Sequence, residues 1–305
     1  MSTNEKPYTY LQFPLCFIGE TFKDPQKGLN LICEFGIVNF AMKQSVNIED
    51  VQRQLIYSYY RKKESLPRKL HSKLLQYVEE GKIETDEDYN GFNGKEFNPE
   101  QEIKGIAEIF EIDSEFKETS ILTWQIGKAA KFLKVRLGNI DNTIKVFNEG
   151  QAILNRYESL FGPDAWPSVK PSMLFDVRDS GKDLDLFRAF IGIKSMIGRR
   201  NFISSNKPAI LSRMIGCKNK ASFNEISKDK AICPTIEKYS KRYHMDNLLL
   251  LLVERKYIMY LASKPVSVIY LSTYMEPEKL RDMINESKTR LNIKKRIADA
   301  AASLQ

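Results

Sequence analysis

The stretch from Tyr257 to Thr273 is the most sheet-like run in this chain, and it stands against a background of helical spacing. Tyr257-Ile258-Met259-Tyr260-Leu261 and Val266-Ser267-Val268-Ile269-Tyr270-Leu271 flank Ala262-Ser263-Lys264-Pro265. β-Branched and aromatic residues on either side of a short proline-containing turn form a β-hairpin signature. Elsewhere apolar residues recur three and four apart, as in Val51, Leu55, Ile56, Tyr59 and Tyr60, and again in Ile121, Leu122, Trp124, Ile126, Ala129 and Leu133. That period places one apolar stripe along a helix. The fold class expected is mainly α, with a helical N-terminal domain and a C-terminal domain containing the hairpin.

The helices can be placed from their start and stop signals. Asp24 and Pro25 read as N-cap and first position of a helix whose buried face carries Leu29, Leu31, Ile32, Phe35, Val38, Phe40 and Ala41. Further helices are expected over 47–61, from Pro67 to Glu80, after Asn98-Pro99, over about 118–135, over 143–157 and over 183–197. Residues 8–20, broken by Pro14, read as an extended segment tucked against helices, and Met173 to Val177 as a short extended piece. Pro163, Pro167, Pro171, Gly162 and Trp166 interrupt all periodicity, so residues 161–172 are expected to link a domain at 1–160, for partner binding or oligomerisation, to one at 173–305.

Charge divides the chain in the same direction. The net charge is +8, yet from Lys194 onward there are 22 basic and 10 acidic residues. The remainder is weakly acidic. One domain meeting polyanions while the other does not would give this asymmetry, and so would a solvated basic surface on an ordinary domain.

No apolar run approaches the roughly 18–20 residues of a membrane span, and no secretory or lipidation motif is visible, so a cytoplasmic protein without membrane attachment is expected. Cys16, Cys33, Cys217 and Cys233 include no C-x-x-C pair and read as buried free thiols. His71 and His244 are the only histidines, and phosphate-binding glycine loops and nucleophile elbows are absent. Neither a cofactor nor a catalytic residue is assigned. Two or three acids suffice for magnesium-dependent nuclease chemistry, however, and spacing alone does not decide against it. Asp86, Asp88, Asn90 and Gly91 resemble the opening of an EF-hand loop, but its twelfth position, which needs a bidentate Glu, is Phe97. The stretch reads instead as an acidic surface loop.

The residues from Ser205 to Gly216, from Ile236 to Val253 and from Tyr257 to Thr273 together resemble the winged helix-turn-helix of DNA-binding proteins. The resemblance implies that 183–197 is the first helix of the module, that Asn206 or Ser205 caps the next, and that a basic helix from Ile236 reads DNA. A second register ends that helix near His244 and makes 246–255 a separate core helix. The polar connector from Cys217 to Cys233 departs from the family pattern by its length. On this reading Arg199, Arg200, Lys207, Arg213 and Lys264 neutralise phosphates, Lys238, Lys241 and Arg242 reach the groove, and Lys218 and Lys220 lie on the connector. A transcription regulator or a replication-initiator-like protein is implied, with duplex DNA as partner. The amphipathic helix after Glu276-Pro277 is a candidate for homodimerisation. The rival reading is a helical protein-interaction module whose basic face docks an acidic protein.

Overall fold

A computed structural model describes residues 10–62, 76, 80, 99–263, 268–273 and 275–288. Over these residues the chain is mainly helical, with two small antiparallel sheets. It divides into two compact units, one formed by residues 1–36 and 146–305, the other by 37–145. The linker expected at 161–172 falls inside the first unit, where Ser168–Val169 (β2) pairs with Leu11–Gln12 (β1), Leu11 opposite Val169. The expected helix at 67–80, apart from Gln76 and Glu80, and the acidic stretch with Asp86, Asp88 and Asn90 lie outside the described residues.

The second unit is built on α3 (Ile48–Lys62), α4 (Pro99–Ile112) and α5 (Ser114–Leu133). Val51, Leu55, Ile56, Ile106, Ile109 and Phe110 form its core, with Phe116, Ile121 and Trp124 packed against them. Asp113 caps α5 by accepting Phe116 N at 2.8 Å. Lys134, at φ 56°, closes that helix in the left-handed region.

The first unit holds α1 (Phe17–Lys23), most of α2 (Pro25–Met42) and the larger part of α6 (Ile140–Phe161). Phe35 lies edge-on to Phe17 with ring centres 4.8 Å apart and stacks on Phe147 at 4.7 Å. Burying each such ring contributes about 1.5–3 kcal/mol. Of the extended segment expected at 8–20, Leu11–Gln12 is a strand and the chain is helical from Phe17, while residues 8 and 9 lie outside the described residues. The reason is non-local: Asp164 accepts Cys16 N at 2.8 Å, capping α1 from 148 residues away. The extended piece expected at 173–177 is likewise helical, inside α7 (Pro171–Ser180). Pro171 pre-sets its first turn, Gly181 at φ 63° ends it, and Leu174 and Val177 are its buried side.

After α7 come α8 (Leu184–Ile197), β3 (Ile203–Ser205), α9 (Lys207–Met214), α10 (Lys220–Ile226), α11 (Cys233–Ser240), α12 (Arg242–Glu254), β4 (Met259–Ser263), β5 (Val268–Ser272) and α13 (277–288). The strand order is β3-β5-β4, all antiparallel, with Ile203 opposite Leu271 and Tyr260 opposite Leu271 on the other side. Helix α8 is buried almost all round, which suits a central helix. Gly192 lets α9 cross it closely: a Cβ there would lie 2.8 Å from Met214 N.

Helix α13 packs on the chain's own sheet. Met275, Leu280 and Ile284 are buried together against Phe202, Met259, Leu261 and Tyr270. Met283 is packed against the same cluster, so this side of the helix read as a candidate for homodimerisation is engaged within the chain. Leu291, Ile293 and Ile297 lie outside the described residues.

Candidate nucleic-acid interface

The polar connector from Cys217 to Cys233 contains a helix, α10. Asn206 caps α9 by accepting Ala209 N at 2.9 Å, and Ile210, Leu211 and Met214 anchor that helix in the core. The chain then turns at Gly216, whose φ is 87°. A side chain at 216 would be strained by that φ, and its Cβ would come within 3.1 Å of Gly19 N and 3.3 Å of Leu15 O. Asn219 starts α10 with a capping box: its Oδ1 accepts Ser222 N at 2.8 Å, while its own N–H donates to Ser222 Oγ at 3.2 Å.

The end of α6 holds this turn in place. Tyr157 Oη accepts Lys218 N at 3.2 Å, and Asn219 Nδ2 donates to Phe161 O at 3.1 Å. The Lys218 ammonium donates to Pro163 O. Burial pushes the Tyr157 hydroxyl up to about 12 and the Cys217 thiol up to about 12, so both stay protonated at neutral pH. Ser222 is fully buried, and Phe223 and Ile226 are half-buried. Lys220, Ala221, Asn224, Glu225 and Lys228 are exposed. Lys220, Ala221, Asn224 and Glu225 share one outward side of the helix, and Lys228 lies two residues beyond its end. The ion pair between Lys228 and Glu225, at 2.8 Å, is mostly in water and contributes about 0.2–0.5 kcal/mol.

The expected DNA contacts fall in different settings. The helix expected from Ile236 to Val253 is broken at Lys241, whose ψ of 125° is extended; two helices are present, as in the second register, but the break comes before His244, which lies inside α12. Lys238 is held at 3.2 Å by Asp185. Lys207 lies 2.5 Å from Asp246, which also meets Arg242 at 3.6 Å. Arg200 donates to Met196 O at 3.0 Å, while Arg199 and Lys241 are exposed. Arg213 is half-buried, and burial makes its guanidinium easier to deprotonate than usual, though it stays charged. Lys264, at the hairpin turn, is outside the described residues.

Among the described residues no cluster of three or more His, Cys, Asp or Glu side chains could hold a metal ion, and no helix is long and apolar enough to cross a membrane. The placement of Tyr157 and Asn219 around the turn, and of Asn224 and Glu225 on the outward side of α10, is not foreseen from the sequence. Asn219-Lys220-Ala221-Ser222 did carry a helix-start signal, a capping residue followed three places later by a side chain able to return the bond. Comparison of the chain with protein-family models, with curated proteins and with solved structures finds no match.

Proposed function

We propose that the protein binds duplex DNA through α9 and α10, acting as the helix-turn-helix of a winged-helix-like module whose wing is the β4–β5 hairpin. The observation that carries this reading is the turn at Gly216, which joins a core-anchored helix to one whose outward side carries Lys220, Asn224 and Glu225. The order α8–β3–α9–α10 and then β4–β5, with β5 central in the sheet, supports it. Helices α11 and α12 are then an insertion between the reading helix and the hairpin.

On this reading Lys220, Lys228 and Lys230 neutralise phosphates, and Asn224 and Glu225 face base edges. An Asn amide pairs with adenine N6 and N7, and a carboxylate accepts from cytosine N4. Asn219 and Lys218 position the helix, since their side-chain donors are taken up by Phe161 O at the end of α6 and by Pro163 O just after it. The role served is that of a transcription regulator or a replication-initiator-like protein.

The test is binding of the purified chain to labelled duplex DNA across a salt series. The expected result is a log K that falls with log salt at about −0.9 per phosphate contact. The variant Lys220→Glu/Lys228→Glu should bind more weakly and with a slope shallower by roughly 2. Absence of binding at low salt would overturn the proposal.

A further inference from the structure

Helix α12 turns Met245, Leu248, Leu249 and Leu252 into the core, as an amphipathic helix should. Its other face mixes polar residues with exposed large apolar ones. Tyr243 is 71% exposed, Leu250 47% and Leu251 42%. With Asn247 and Glu254 these residues fall at i, i+4, i+7, i+8 and i+11, one face of one helix. The described residues include ten exposed large hydrophobics, and three of them are on these 13 residues. Scattered exposed leucines need no explanation, but a stripe of this kind marks an interaction surface.

The chemistry of the stripe selects its partner. Leucines offer no donor to phosphates or bases, so the face does not suit a DNA groove. Cations frame it: Lys241 and the 88% exposed Arg242 at one end, Lys256 at the other. Of the nearby acids, Asp246 is already engaged by Lys207 and Arg242, and Asp183 by Arg255, leaving Glu254. A second copy would bring this excess positive charge against itself, whereas a negatively charged partner is drawn to it.

We infer that the outward face of α12 is a docking surface for an acidic amphipathic segment of another protein. The segment's apolar side chains cover Tyr243, Leu250 and Leu251, and its carboxylates meet Lys241, Arg242 and Lys256. This site is separate from the DNA-reading stripe on α10 and does not depend on it.

A displayed library of random helical peptides, selected on the full-length protein, tests the inference. Enriched peptides should be acidic with apolar residues at helical spacing. They should lose at least tenfold in affinity for Leu250→Asp/Leu251→Asp and for the milder Leu250→Ser/Leu251→Ser, and weaken with salt. Both variants alter exposed positions and should bind duplex DNA as the parent does. No enrichment, enrichment of neutral or basic peptides, or equal binding to both variants would overturn the inference. It would also be overturned if sedimentation showed a dimer that these variants dissolve, if they abolished capture by phosphatidylserine vesicles in the absence of peptide, or if they abolished DNA binding.

Discussion

Lys238 Nζ lies 3.2 Å from Asp185 Oδ2, the same oxygen that accepts the Tyr239 hydroxyl at 2.7 Å. The other oxygen accepts Arg188 Nη1 at 3.1 Å, and Arg188 continues to the hydroxyl of Thr21 at 2.9 Å and to its carbonyl at 2.6 Å. The guanidinium also sits 3.7 Å from the centre of the Phe22 ring. One carboxylate thus ties α11 to α8 and, through Arg188, α8 to α1. Lys238, with half its side chain in solvent, is the peripheral member, and Arg188, at 7%, is the buried one.

Replacing Asp185 should therefore cost far more than replacing Lys238. Removing one partner of a buried ion pair costs roughly 3–5 kcal/mol. Asp185 is about a third exposed, and Arg188 keeps its Thr21 bonds, so Asp185→Ala should lose about 2–3 kcal/mol. Lys238→Ala should lose under about 1 kcal/mol. Urea unfolding of both variants checks the ranking; an equal loss would mean that the lysine is as integral as the arginine.

The same carboxylate sets a pH dependence. Burial pushes the Asp185 pKa up, but Tyr239, Lys238 and Arg188 outweigh it, and the net position is below the ordinary value. A folded-state pKa lowered in this way contributes stability above the unfolded value of about 3.9, lost as pH falls toward the folded one. Midpoints measured from pH 6 to pH 2 should fall more steeply for the parent than for Asp185→Asn.

Gly216 and Gly181 separate two reasons for glycine. Both have positive φ, 87° and 63°, but a Cβ at 181 meets nothing within 4 Å, whereas one at 216 meets the backbone of Gly19, Leu15 and Cys16. Gly181→Ala should cost about 1 kcal/mol, the conformational strain alone. Gly216→Ala should cost more, because backbone on both sides of the contact has to shift. Thermal melts of the two variants provide the comparison; equal losses would show that α1 yields freely.

The helices were legible where their own residues carried the signal. Asp24-Pro25, Asn98-Pro99 and Asn206-Lys207-Pro208 announced starts, and the helix expected over 183–197 is α8. The hairpin was legible from β-branched and aromatic runs, and β5 does pair with β4. What failed to show were features set from a distance. Helix α1 is capped by Asp164, so the local sequence around Pro14 suggested an extended chain. The break at Lys241 falls within a basic run whose periodicity hardly changes there, since Tyr239 and Met245 bury on either side of it. Helix α10 has seven residues, too few for periodicity to stand out, and only its cap announces it. The basic excess after Lys194 was visible, but the acids that engage Lys207 and Lys238 come from other elements.

The Asn219 side chain makes two separable bonds. Asn219→Ala removes both the cap and the donor to Phe161 O, and cap loss alone costs about 0.5–2 kcal/mol. Asn219→Asp keeps an acceptor for Ser222 N but turns a carboxylate toward the Phe161 carbonyl. Amide hydrogen exchange of Ser222 and Phe223 should speed up most in the alanine variant and less in the aspartate one. Exchange unchanged in both would mean that the Lys218 bonds to Tyr157 and Pro163 hold the turn without Asn219.

Asp164 reverses the pH logic of Asp185. It accepts Cys16 N and Ala165 N, both at 2.8 Å, in a largely buried site. Burial raises its pKa and outweighs the hydrogen bonds that lower it. A carboxyl whose folded pKa is raised binds its proton more tightly when folded, so its contribution to stability declines as pH rises through the folded value. Asp164→Ala leaves two backbone donors unpaired and should cost about 2–4 kcal/mol at neutral pH, at roughly 1–3 kcal/mol for each buried unsatisfied group less what local rearrangement recovers. Asp164→Asn retains an acceptor without the buried charge, so it should cost less and remove this declining component. Denaturation of the three proteins between pH 3 and pH 7 reads it directly. If Asp164→Asn is the more damaging of the two, the charge itself holds α1 in place, and the cost of burying it is repaid by its bonds to Cys16 and Ala165.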